Sequence, residues 1–185
     1  MRTIGVFVDT STVNRMLDID VRKDNDSQYE QDREYLTRVV EQYAKSDIVR
    51  FIVNPTVKGE IENTEDPGRR TRLLDLFDQL HFTSYNISVF PLHFPVAFLT
   101  EEEKRTLKEV FQDIPSFKKD EKIFADAVFN SQIEVLLTTD RQHLANDTFR
   151  SRIQRKGLDE KIKVCTPKEL FQQLQTVATR NRPHR

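Results

Sequence analysis

Four carboxylates stand where a parallel α/β sheet would gather them. Asp9 follows the apolar run Ile4-Gly5-Val6-Phe7-Val8, Glu60 lies in Val57-Lys58-Gly59-Glu60-Ile61, Asp120 opens a helical segment, and Asp140 closes Leu136-Leu137-Thr138-Thr139-Asp140. Hard divalent cations take oxygen ligands, and like-charged carboxylates brought together are costly to fold unless a cation offsets their repulsion. The pattern therefore predicts a Mg2+ or Mn2+ site. Taken singly these acids say little, since an Asp after a strand commonly caps a turn and a Glu on a short helix is commonly solvated. Their conjunction carries the prediction.

The elements that would position the acids are legible as alternating patterns. Short β-branched runs at Thr3 to Val8, Ile48 to Val53, Asn86 to Phe90, Val135 to Thr138 and Lys161 to Cys165 read as strands, several of them apolar at successive positions as in a sheet covered on both faces. Between them, Tyr35, Leu36, Val39, Val40 and Tyr43, then Leu73, Leu74, Phe77 and Leu80, then Ile123, Phe124, Ala127 and Val128 recur at helical spacing. Asn54-Pro55, Asp66-Pro67 and Thr166-Pro167 place a capping side chain before a proline at the first helical position. Thr100 with Glu103 and Thr166 with Glu169 are spaced as capping boxes. The polar stretch Asp18 to Gln28 reads as an exposed loop or the frayed start of a helix, because the glycine that a calcium loop needs is absent. In a parallel sheet every strand ends on the same edge, so Asp9 and Asp140 project from one side, where ligands of such sheets bind.

Composition excludes several classes. A chain of 185 residues suits one domain. With 29 Lys and Arg against 30 Asp and Glu, no global field pulls it onto nucleic acid or an anionic membrane, so a polyanion site must be a local patch. The single cysteine, Cys165, reads as a small buried hydrophobe in a reducing compartment. No apolar run reaches the ~18 residues of a membrane span, and a first strand starting at residue 3 leaves no room for a signal peptide. The expectation is a cytoplasmic protein without membrane association.

Asp9-Thr10-Ser11 with Asn14, then Val57-x-x-Glu60-Ile61, then Asp120-x-x-Ile123-x-Ala125-x-Ala127, and Thr138-x-Asp140 together resemble the acidic signature of the PIN domain, a nuclease fold, in order and approximate separation over residues 3 to 175. Val164 to Leu170 is similar to the last strand and helix of that family. The resemblance implies a three-layer α/β/α domain over residues 1–178, with a central parallel five-stranded sheet in the order 3-2-1-4-5, followed by a basic tail at 179–185 expected to be disordered. It implies one or two Mg2+ or Mn2+ ions held by Asp9, Glu60, Asp120 and Asp140, with Ser11, Asn14 and Thr138 orienting them. The implied activity is hydrolysis of RNA phosphodiester bonds by a metal-activated water, with no protein nucleophile. An antitoxin or other protein partner and a homodimer are associations the family allows. The extra length at residues 18 to 30 and 91 to 117 speaks against the shorter toxins of toxin–antitoxin pairs.

Asp126 lies about 120° around a helix axis from Asp120, so the two do not share a face, and Asp126 is read as a surface or supporting residue. Cations for substrate phosphates are Arg69, Arg70 and Arg72 at a helix start, Lys118, Lys119 and Lys122 beside Asp120, and Arg141 beside Asp140. The segment Pro91 to Leu99 is apolar and reads as a contact patch or a cover for the sheet edge. A haloacid-dehalogenase-type phosphatase is disfavoured because position 11 is Ser instead of a second Asp, and a receiver domain because Pro91-Leu92-His93 stands where its phosphoacceptor would be. The remaining alternative is a non-catalytic PIN-like module that binds RNA or protein.

Overall fold

In a computed structural model, which describes residues 3–17, 27–44, 46–79, 83–84, 99–112 and 118–180, the chain forms an α/β fold around a parallel sheet. β1 (Ile4–Val8) has no polar side chain and can be covered on both faces. It lies at the centre with every residue buried. β1 pairs in parallel with β2 (Val49–Val53) on one side and β4 (Val135–Leu137) on the other, and β4 pairs with β5 (Lys163–Cys165). These four strands carry the sheet. Outside β2, β3 (Thr83–Ser84) adds a two-residue pairing, giving the order β3-β2-β1-β4-β5. The strand expected at Asn86 to Phe90 lies outside the described residues, as does most of the apolar segment from Pro91. Its last residue, Leu99, is buried.

Eight helices are present among the described residues: α1 (Thr10–Leu17), α2 (Ser27–Tyr43), α3 (Pro55–Glu62), α4 (Pro67–Gln79), α5 (Glu101–Val110), α6 (Lys118–Val128), α7 (Asp147–Arg155) and α8 (Pro167–Arg180). Their starts follow the capping chemistry of the sequence. Asn54 accepts from the Val57 amide at 2.8 Å, Asp66 from the Arg69 amide at 2.9 Å, and Thr100 with Glu103 closes a reciprocal capping box. α8 begins with the Thr166–Glu169 pair and runs through Arg180, so the first two residues of the expected tail are helical.

Of the helical stripes, Leu36, Val39, Tyr43, Leu73, Phe77, Ile123, Phe124, Ala127 and Val128 are buried, Tyr35, Val40 and Leu74 are half-buried, and Leu80 lies outside the described residues. Leu36 and Val39 of α2 are fully buried, and α2 packs on α8 through Tyr35 and Phe171, whose rings lie 5.7 Å apart. Phe111, Phe124 and Phe149 form an aromatic cluster with centroids 5.2–5.8 Å apart, joining α6 to α7. Gly5 has a steric reason to lack a side chain: a Cβ there would sit 1.8 Å from the Gln132 carbonyl oxygen. The turn before β4 can therefore approach β1 closely enough for the Glu134 amide to donate to the Gly5 carbonyl at 2.9 Å. No helix among the described residues is long and apolar enough to cross a membrane.

Candidate functional site

Burying a polar side chain is unfavourable unless it is hydrogen-bonded, so the places where a fold tolerates it are informative. Here Asp9 follows β1, Asn54 follows β2, Thr138 and Thr139 follow β4, and Thr166 follows β5, and all five are buried. In a parallel sheet those positions form one row along the carboxyl edge.

Asp9 is the centre of that row. Its Oδ1 accepts from the Thr12 amide at 2.8 Å, its Oδ2 from the Thr138 hydroxyl at 2.5 Å, and the Ser11 hydroxyl lies 3.0 and 2.9 Å from the two oxygens. Ser11 also meets the Thr139 hydroxyl at 3.0 Å. Thr138 accepts from the Asp140 amide at 3.0 Å, so one buried hydroxyl joins the strand-one acid to the strand-four acid. Burial pushes the Asp9 carboxyl above its ordinary value, and the bonds from Thr12, Thr138 and Ser11 only partly counter this. Ser11 and Thr138 thus both bond the Asp9 carboxylate.

Glu60 reaches the same edge from α3, where its Oε2 accepts from the Thr10 hydroxyl at 2.5 Å. Asp140 is half-buried. Its Oδ1 accepts from the amides of Gln142 and His143 at 3.0 Å each, and its Oδ2 lies 2.8 Å from His143 Nδ1. Asn14 makes no hydrogen bond to Asp9 among the described residues. Its amide donates to the Thr10 carbonyl and its oxygen accepts from Arg69 at 3.1 Å, which brings one α4 cation to within a helical turn of Thr10.

The surface alternative for Asp126 is overturned. Its side chain is 4% exposed, and its Oδ2 accepts from Asn54 at 2.5 Å. The cause is that residues 123–128 of α6 are buried all round, so the angular separation from Asp120 does not turn Asp126 outward. Asn54 caps α3 with its oxygen and meets Asp126 with its nitrogen, linking β2, α3 and α6 at the edge. The backbone of Lys118, Lys119 and Asp120 is helical, and their side chains lie outside the described atoms.

Among the other cations, Arg72 is exposed and Arg70 and Lys122 are partly so. Arg141 is bonded to the buried Asp32 of α2 at 2.7 Å. The residues missed in the sequence are Thr10, Thr12, Asp32, Asn54, Thr139 and His143. All but Asp32 sit within three residues of a strand end or of a predicted acid, which is the signal that could have found them.

The groups along this edge are nearly all oxygen donors, and carboxylates with hydroxyls are the ligand chemistry of Mg2+ and Mn2+ rather than of softer metals. Among the described residues no group of three or more His, Cys, Asp or Glu is arranged to hold an ion. No protein-family model matches the chain, and no curated protein matches it.

Proposed function

We propose that this chain is a PIN-like endoribonuclease that hydrolyses RNA phosphodiester bonds with Mg2+ or Mn2+, on a five-stranded, three-layer α/β/α version of its parallel fold. The observation that carries the reading is the buried Asp9 carboxylate, fixed by Ser11, the Thr12 amide and Thr138 at the carboxyl edge of the sheet. Asp9, Glu60, Asp140 and an acid of α6, Asp120 or the buried Asp126, would hold the ion. When bound, such an ion offsets charge on the phosphate and lowers the pKa of a water. The chain's own part is positioning: Thr138 and Ser11 fix Asp9, Thr10 holds Glu60, and the 140–143 turn with His143 holds Asp140. Arg69, Arg70, Arg72, Lys118, Lys119 and Lys122 supply contacts to backbone phosphates.

The second reading is a PIN-like module that binds RNA or a protein without cutting. It is favoured by one observation, that both Asp140 oxygens already have partners within their own turn. Incubation of purified protein with a panel of labelled RNAs, with and without Mn2+ or Mg2+, separates the two. Metal-dependent cleavage that falls by orders of magnitude in Asp9→Asn, with RNA affinity retained, supports the nuclease. Cleavage by Asp9→Asn equal to that of the wild type would sink it.

A further inference from the structure

A carboxylate with almost no exposure is costly unless a cation or a set of donors faces it. The Asp32 side chain is 3% exposed on the second turn of α2, and its Oδ1 lies 2.7 Å from Nη2 of Arg141, a residue 109 positions away. α2 is a firm base for this contact. Arg15 of α1 stacks on Tyr29 with its guanidinium carbon 3.8 Å from the ring centroid, and Tyr35 and Tyr43 pack on Phe171 of α8. Arg141 is the residue after Asp140, in the turn closed by the Ala145 amide on the Asp140 carbonyl at 2.8 Å. Its side chain is 38% exposed, and among the described residues it bonds only Asp32.

We propose that Asp32 is a positioning residue: it fixes the Arg141 guanidinium beside Asp140 so that the free N–H groups of the fork bind a backbone phosphate of the RNA. This rests on the nuclease reading above and adds to it a phosphate subsite with a named support. A guanidinium has five N–H donors in a rigid plane, and holding one end on a buried acid leaves the other end oriented for a phosphate instead of sampling rotamers. A charge-assisted fork of this kind is both stronger and more directional than a lysine contact. The pair gives one cationic partner to a buried acid on α2 that lies far in sequence from the other acids.

The test measures affinity of a labelled single-stranded RNA with a non-hydrolysable backbone, by anisotropy at several salt concentrations, for the wild type, Asp32→Asn and Arg141→Lys. Asp32→Asn removes a negative charge, so charge alone would tighten binding. Positioning demands the opposite, about tenfold weaker binding as expected for loss of one charge-assisted contact, with the salt slope reduced by about 0.7. Arg141→Lys keeps the charge and loses the fork, so it should weaken binding comparably, and it gives a second readout if Asp32→Asn folds poorly. Unchanged or tighter binding in either folded variant overturns the proposal while leaving the nuclease reading intact. A wild type that binds no RNA overturns both.

Discussion

Asp9→Asn separates what the carboxylate does for the fold from what it does for function. The side chain is 3% exposed, and burial raises its pKa despite four contacts from three donors. An Asn side chain fits the same space. Its oxygen can keep the Thr12 amide, and its nitrogen can face Thr138 and Ser11, whose hydroxyls rotate to accept. The substitution weakens two or three charge-assisted bonds, each by about 1 kcal/mol, and relieves a buried charge whose residual desolvation is several kcal/mol. Without divalent ions at pH 7 the variant should be more stable by about 2 kcal/mol, or about 4–8 °C in Tm for a chain of this size. The sign follows from linkage. A carboxyl whose folded pKa is raised contributes stability that is present below its unfolded value near 3.8 and lost as pH rises through the folded pKa. The advantage of Asn should therefore shrink as pH is lowered from 7 toward 4. Urea unfolding at both pH values with a chelator measures it, and millimolar Mn2+ should then stabilise the wild type while leaving the variant unchanged. A variant less stable than the wild type at pH 7, or an advantage independent of pH, would refute the argument that the charged form of Asp9 is held against the preference of the fold.

Two further expectations concern the supports. Asn54→Ala removes the α3 cap and the donor that meets buried Asp126, and should destabilise by about 2–4 kcal/mol in denaturant unfolding. Asn54→Asp keeps the cap but sets two carboxylates together, so its deficit should diminish in acid; a deficit equal at all pH values would show that Asp126 is not facing it. At α8, burial opposes the charge of Glu169, yet hydrogen bonds from Arg150 and Thr166 hold its carboxyl down at about 2. That stabilisation is present above about 4.5 and lost as pH falls toward 2. Because the side chain is 42% exposed, solvent screening keeps Glu169→Gln to about 1–2 kcal/mol at neutral pH, and the difference from the wild type should vanish in acid.

What the sequence made legible is what depends on neighbours in the chain. Strand ends are readable at Val8, Val53 and Cys165 because a polar residue follows each, whereas Ser11 and Thr138 enter through the resemblance to the PIN signature. Lys161 and Ile162 fall outside β5, since the turn at Leu158 takes their amides. Of the two options for Asp126, surface or supporting residue, the surface one fails because an angle around a helix says which residues share a face, not which faces are covered. Six successive buried residues, Ile123 to Val128, are covered on every side, and a lone Asp in such a run was the available signal. Asp32 had no local signal at all. Its meaning comes from Arg141, and only the packing of α2 against the edge brings the two together.

The number of donors around Asp9 bears on whether it is more than a helix cap. A cap requires one acceptor for one amide near the helix start, and the Thr12 amide on Oδ1 satisfies that requirement. Three further contacts come from Ser11 and from Thr138, which is 129 residues away and has its own bond to the Asp140 amide. Had the fold needed only α1 to begin here, Asn or Ser at position 9 would cap it without a buried charge. Donors from Ser11, Thr12 and Thr138 partly offset the cost that burial sets on the Asp9 charge, and the same Thr138 hydroxyl sets the backbone of the next strand-end acid. An edge that couples two strand-end carboxylates through one buried hydroxyl goes beyond what capping a helix requires.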